Sequence, residues 1–155
     1  MDGELEAAFA PIRRDLQAPS GVTPTVVDRR WQEDADTASA FLYGPDGSGM
    51  GIWIQRGLPL STQVVTLAEQ VQEWAVEALW QLGRSASWPE CPHHPARHPL
   101  EAREVDGGAV WACPVLGVII HRIGQLTDPR SQRPSPSPAR GSQGHGGAVV
   151  RLRRW

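Results

Sequence analysis

The sequence contains no lysine, and all 15 of its basic residues are arginine. This absence excludes a lysine-bearing phosphate loop, because such a loop ends in Gly-Lys-Ser or Gly-Lys-Thr at the start of a helix. The glycine-rich stretch 44–51 lacks that ending and lies between two predicted strands. We therefore interpret it as a hairpin loop without phosphate chemistry.

The sequence also lacks a long apolar run. No apolar stretch approaches the ~20 residues of a membrane span, and the opening segment 1–10 is acidic and helical in character rather than an apolar signal segment. With 40% apolar residues among 155, the chain is long enough for one modest domain. We expect a soluble, cytoplasmic protein with no membrane partner.

Cysteine is scarce, and both cysteines lie close to histidines. Cys91 is followed by His93, His94 and His98, and Cys113 lies further along the chain. Thiolate and imidazole are the usual ligands of tetrahedral zinc, and a C-x2-H spacing lets one tight turn present two of them. We predict a structural Zn²⁺ site of Cys91, His94, His98 and Cys113. His93 is the reserve ligand, because a residue inside such a turn usually points away from the metal.

A predicted hairpin explains how Cys113 returns to the other ligands. Segments 100–105 and 109–113 flank Asp106-Gly107, a pair that favours a type I′ turn. The sequence Cys113-Pro-Val-Leu-Gly resembles the zinc-ribbon knuckle C-P-x-C-G, with Leu116 in place of the second cysteine. The partial resemblance to a zinc ribbon or zinc knuckle covers residues 88–117, and His98 is the nearest residue that can replace the missing ligand.

A wider segment, residues 60–126, resembles a group of small uncharacterised proteins of high-GC bacteria. This resemblance supports the zinc knuckle as a recurring pattern and implies no enzyme, substrate or partner. It is carried by Trp88-Pro89-Glu90-Cys91-Pro92-His93-His94-Pro95, His98-Pro99-Leu100, Val110-Trp111-Ala112-Cys113-Pro114 and Ile123-Gly124-Gln125-Leu126.

Two other interpretations of the cysteines stay open. They can form a disulfide across the hairpin, although disulfides are rare in a reducing cytosol, or they can be buried thiols that bind no metal. Catalytic zinc signatures fail, since neither H-E-x-x-H nor the deaminase pair H-x-E and P-C-x-x-C is present. Glu90, Glu101 and Glu104 are close enough in sequence to act as a general base, but a closed four-ligand site leaves no water to activate. We expect no enzyme, with a zinc-dependent hydrolase as an alternative.

The chain before the metal residues predicts an α+β fold. An apolar stripe over 4–17 predicts an N-terminal helix that Pro11 kinks or restarts. Segments 25–31, 38–43 and 50–54 then predict a three-stranded antiparallel meander.

A long amphipathic helix is predicted over 60–82, with Ser61 as its cap and Gly83 at its end. Its carboxylates at successive i+4 steps predict a solvated face, and they are Glu69, Glu73 and Glu77. The tryptophans are interpreted as core residues by default, while a surface cluster of them would mark a binding face.

The charge is distributed unevenly along the chain. Through residue 127 there are nine arginines against sixteen acidic residues, a balance of −7, and 128–155 carries six arginines against one aspartate, a balance of +5. We predict one α+β domain, 1–126, which includes the zinc hairpin 88–117, and a low-complexity basic tail, 127–155, that is mostly disordered. Within the tail only 148–155 regains apolar character, which leaves docking as a strand as the alternative.

The function expected from these features is an adaptor or regulatory module that binds a protein partner through the zinc hairpin or exposed tryptophans. A nucleic-acid-associated protein that uses the hairpin and the basic tail is the second candidate.

Overall fold

The computed structural model describes residues 1–126. Within this range, two helices and six strands follow one another as α1 (Gly3–Leu16), β1 (Thr25–Val27), β2 (Thr37–Tyr43), β3 (Gly49–Gln55), α2 (Leu60–Gln81), β4 (Glu101–Val105), β5 (Gly108–Ala112) and β6 (Ile119–Arg122). The strands form two antiparallel sheets of three, in the orders β1-β2-β3 and β4-β5-β6. The predicted α+β class is confirmed. The predicted tail, 127–155, lies outside the described residues.

Helix α1 is a single helix that passes through Pro11. Asp2 caps it by accepting hydrogen bonds from the backbone N–H groups of Glu4 and Leu5. The apolar stripe continues on both sides of the proline, with Phe9 before it and Ile12 after it fully buried. Burial of this stripe offsets the backbone hydrogen bond that the proline removes, so Pro11 does not begin a new helix.

The first sheet is the predicted meander, with a shorter first strand. Strand β1 ends at Val27, and the chain then returns Trp31 to the sheet. The indole Nε1 of Trp31 donates to the carbonyl oxygens of Ala40 and Ile52. A Cβ at Gly51 would lie 2.6 Å from the indole ring, so only glycine lets the ring lie this close.

Helix α2 begins and ends by different means. The predicted cap at Ser61 is wrong: Pro59 occupies the N-cap position, and the Ser61 hydroxyl donates to Glu104 of β4 instead. The predicted end is confirmed. Gly83 has a φ of 67°, and the N–H groups of Gly83 and Arg84 donate to the carbonyls of Trp80 and Leu79, which is a Schellman motif.

The side chain of Gln70 joins α2 to the edge of the first sheet. Its amide oxygen accepts from the backbone N–H of Trp53 at 3.0 Å, and its amide nitrogen donates to the Trp53 carbonyl at 2.9 Å. A primary amide thereby completes the outer hydrogen bonds of β3 as a further strand would. On the same helix, Glu69, Glu73 and Glu77 are all exposed, as predicted.

One continuous hydrophobic core includes residues of both sheets and both helices. Trp88 and Trp111 are fully buried in an edge-to-face pair with ring centroids 5.8 Å apart, and Trp74 is also buried. Core packing is therefore the role of these three tryptophans, whereas Trp31 and Trp80 are exposed at 38% and 65%.

Candidate metal centre

Two consecutive turns arrange the histidines. The N–H of His94 donates to the carbonyl of Cys91 at 3.1 Å, and the N–H of Arg97 donates to the carbonyl of His94 at 3.2 Å. The Glu90 carboxylate accepts from the N–H of Ala96 across the second turn. The chain folds back on itself between Cys91 and His98, which brings three of the predicted ligands to one side of this loop.

The hairpin carries the fourth ligand. Asp106 and Gly107 have φ values of 49° and 72°, as a type I′ turn requires. The register pairs Glu101 with Ala112, so Cys113 follows directly from the end of β5 beside the start of β4. After Cys113 the chain reverses direction and continues into β6. The N–H of Cys113 donates to the carbonyl of Val118 at 2.9 Å and so closes this turn. This third strand, β6, was not predicted from the sequence.

The structure brings all four predicted residues together. The ligand atoms of Cys91, His94, His98 and Cys113 lie within 4.8 Å of one another. Nδ1 of His94 is 3.6 Å from Sγ of Cys91 and 3.5 Å from Sγ of Cys113. A tetrahedron with metal–sulfur bonds of about 2.3 Å and metal–nitrogen bonds of about 2.1 Å has a sulfur–nitrogen edge of about 3.6 Å. The group could therefore hold a metal ion.

One ring nitrogen of His98 has a hydrogen-bond partner, and the other has none. Its Nδ1 lies 2.9 Å from the carbonyl oxygen of Pro99, and because a carbonyl can only accept, Nδ1 carries the proton. Nε2 then bears the lone pair, and this atom is buried with no hydrogen-bond partner. Metal-bound histidines characteristically donate their second N–H to a carbonyl, which fixes the tautomer that binds.

The Cys113 thiol lies in a setting that favours its thiolate. The thiol is fully buried, and the N–H of Leu116 donates to its Sγ at 3.4 Å. Burial raises the pKa of Cys113, but the backbone N–H groups of Leu116 and Val115 and the Cys91 thiol lower it, and the net pKa is below the ordinary cysteine value. Leu116 thus contributes its backbone at the position where a zinc ribbon has a second cysteine.

The other candidates lie elsewhere. His93 is exposed and lines a neighbouring groove instead of joining the four-residue group. Glu104, considered as a general base, accepts hydrogen bonds from Ser61 and Thr62 at the start of α2. In the described part of the chain Cys91 and Cys113 are free thiols, not a disulfide.

Sequence reasoning missed Asp15. This carboxylate is fully buried and accepts from Trp111 Nε1 at 2.8 Å and from the N–H groups of Gly124 at 2.7 Å and Leu126 at 2.9 Å. Burial raises its pKa, and the three hydrogen bonds and nearby His121 only partly oppose the rise. Its position on the apolar stripe of α1 was the available signal, because a carboxylate there is buried with partners.

No protein-family model, curated protein or solved structure matches the chain. Among residues 1–126, neither helix combines the length and the apolar character needed to cross a membrane. The fold and the site define an α+β protein with a Cys2His2 group suited to a metal ion.

Proposed function

We propose that Cys91, His94, His98 and Cys113 bind one structural Zn²⁺ ion and that the domain is a protein-interaction module. The observation that carries the zinc proposal is the buried, unpartnered Nε2 of His98 within a Cys2His2 group. A buried lone pair without a donor costs about 1–3 kcal/mol, and a zinc ion would satisfy it together with two thiolates.

A structural role fits this ligand set better than catalysis. Catalytic zinc keeps one position for water or substrate, whereas four protein ligands close a tetrahedral site. Both thiols are fully buried, and Glu90 and Glu104 are engaged in structural hydrogen bonds. Zinc would join the 91–98 loop to the end of β5 and so stabilise the second sheet.

The interaction role rests on the loop that follows Cys113. Four aliphatic side chains are exposed there, at 67%, 53%, 42% and 51% for Val115, Leu116, Val118 and Ile119. We call these four residues the knuckle loop. Exposed aliphatic residues in such density mark a contact surface for an apolar partner surface. Because residues 1–126 carry nine arginines against sixteen acidic residues, a protein partner suits this part of the chain better than a phosphate backbone.

Cobalt substitution tests the closed site. Protein loaded with Co²⁺ is expected to give a tetrahedral thiolate spectrum that azide and other small anions do not alter. His98→Ala should weaken metal retention at least tenfold more than His93→Ala, the matched exposed histidine. A spectrum that shifts with anions would show an open position and favour the hydrolase, and equal effects of the two substitutions would exclude His98 as a ligand.

The interaction role needs a separate test. Proteins that co-purify with the wild-type chain from its own host should be lost with Val115→Asp/Leu116→Asp. Leu58→Asp is the control, since Leu58 is an exposed aliphatic residue outside the knuckle loop. Retention of the same proteins by the double variant would contradict a partner surface at this loop.

A further inference from the structure

A groove of about 540 Å³ lies beside the metal centre. Its lining comes from residues 18–20 after α1, from the ligand loop 89–95, and from Ile119, Ile120, His121 and Leu126. The walls are mainly apolar, with Glu90 as the carboxylate among their residues. We call this cavity the β6 groove. Its size and apolar lining suit the side chains of a peptide better than a single ion.

Strand β6 forms one side of the groove and is the outer strand of its sheet. The sheet order is β4-β5-β6, and in the described part of the chain β6 pairs only with β5. Its residues Ile119, Ile120 and His121 line the groove. The outer backbone groups of an edge strand can pair with an added extended segment, while apolar pockets beside it receive alternate side chains.

The chain itself supplies a segment with matching chemistry. Leu126, the last described residue, lines the groove, and 29 residues follow it in the sequence. Large apolar residues occur among these only within 148–155, Ala-Val-Val-Arg-Leu-Arg-Arg-Trp. In an extended segment Val150 and Leu152 share one side, which is the pattern that an apolar groove beside an edge strand accepts.

Charge and proximity favour the same occupant. Residues 148–155 contain three arginines and no acidic residue, whereas residues 1–126 carry a balance of −7. Only residues 127–147 separate this segment from the groove wall at Leu126. Because the segment and the groove belong to one chain, their binding would be intramolecular, and a weak intrinsic affinity is then sufficient.

We propose that residues 148–155 bind in the β6 groove of their own chain, pair with the outer edge of β6, and place Val150 and Leu152 against its apolar walls. The proposed binding of this segment in the groove does not depend on the proposed interaction role. Its regulatory consequence rests on the proposed interaction role: because Ile119 belongs to both surfaces, the bound segment would compete with a partner at the knuckle loop.

Hydrogen exchange of the full chain tests the binding. In Val150→Asp/Leu152→Asp, the amides of Ile119–Arg122 should exchange about tenfold faster than in the wild type, because the strand that covers them is lost. Ser135→Asp/Ser137→Asp adds the same charge outside the segment and should leave exchange unchanged. The amides of α2 serve as the folding reference and should not change in either variant.

A photo-cross-linking residue at position 152 provides the second measurement. It should form cross-links to residues 89–95 or 119–126 within the same chain, and a cross-linker at position 137 should not. An equimolar mixture of ¹⁴N and ¹⁵N protein separates links within one chain from links between chains. Unchanged exchange at β6, cross-links outside the groove, or cross-links only between chains would overturn the proposal. If exchange in α2 also changes, the cross-linking result decides, because it does not need the aspartate variant to fold.

Discussion

The N-terminal part of the domain, 1–82, and the C-terminal part, 88–126, are stabilised by different means. The first part buries aliphatic stripes of two helices against the strands of a sheet. The second has three strands of four or five residues. Its interior contains two tryptophans, two thiols and an indole N–H that donates to the distant Asp15 carboxylate. A sheet this small cannot bury enough apolar surface to be stable by itself. We therefore expect polar contacts with distant residues, here called anchors, to stabilise it.

Those anchors connect residues far apart in the sequence. Asp15 of α1 accepts hydrogen bonds from Trp111 of β5 and from the segment after β6. The proposed zinc ion in the Cys2His2 group would join residues 91–98 to the end of β5. Loss of an anchor should therefore affect the C-terminal part much more than the N-terminal part. Substitutions in the two parts test this difference, from the largest expected effect to the smallest.

The largest effect is expected from Cys113→Ser. With at most three ligands left, the chain should lose its zinc, and the metal's contribution to folding of the second sheet is lost with it. Hydrogen exchange should accelerate at least a hundredfold in β5 and β6 and much less in α2. His93→Ala, which changes an exposed histidine outside the group, should leave both parts protected. Equal acceleration in both parts would show that they do not differ in this way.

Removal of the buried carboxylate should come next. Asp15→Ala leaves the indole N–H of Trp111 and two backbone N–H groups buried without acceptors. We expect the free energy of unfolding to fall by about 3 kcal/mol, measured by urea denaturation. Asp2→Ala, which removes a half-buried helix cap and its ion pair with Arg56, should cost only about 1 kcal/mol, and a larger loss there would contradict the ranking.

Asp15→Asn tests the role of this carboxylate through the pH dependence of the free energy of unfolding. Because burial raises the pKa of Asp15, the folded state binds its proton more tightly than the unfolded chain does. The contribution of Asp15 to stability therefore decreases as the pH rises from the ordinary aspartate pKa of about 3.9 through the folded-state pKa, and it is constant above that. The free energy of unfolding of the wild type minus that of Asp15→Asn should fall over this window. A difference that rises with pH would show that the folded-state pKa is lowered.

A smaller effect is expected at the edge of the first sheet. Gln70→Ala removes both hydrogen bonds to the Trp53 backbone and should cost about 1–2 kcal/mol, with faster exchange confined to β3. Gln81→Ala is the matched control, because the exposed Gln81 side chain donates its hydrogen bond to Glu77 of the same helix. Accelerated exchange in β5 and β6 with Gln70→Ala would contradict the separate anchoring of the two parts.

The smallest effect on stability is expected at the knuckle loop. Leu116→Asp changes an exposed side chain while its backbone N–H still reaches the Cys113 thiol. The free energy of unfolding should change by no more than about 0.5 kcal/mol, and zinc content should be unchanged. A large loss of stability would show that the Leu116 side chain has a packing role.

Several features of the fold could be predicted from local sequence patterns. The stripe of α2 has the helical period over six turns, Gly83 ends it at a position that needs positive φ, and Asp106-Gly107 specifies the type I′ turn. The candidate ligands also follow from a local pattern, because cysteine and histidine at short spacing are typical of zinc sites. Their binding of zinc stays a prediction.

Other features depended on tertiary contacts that no local pattern contains. Strand β6 has the sequence Ile-Ile-His-Arg, which does not alternate between apolar and polar residues. The residues before it are exposed aliphatic residues that do not alternate either. Ser61 has the chemistry of a cap, but Glu104 of a distant strand accepts its hydroxyl hydrogen bond. Asp15 finds its three donors 96 to 111 residues further along the chain. In each case the partner is supplied by the fold.

The metal content of the purified protein tests the central claim most directly. Protein prepared without chelators should contain about one zinc ion per chain, and its two buried thiols should not react with a thiol reagent until a chelator is added. Cys91→Ser protein prepared in the same way should contain none. Metal-free wild-type protein that stays folded, gains no zinc on addition of the ion, and protects β5 and β6 as well as α2 from exchange would contradict the account.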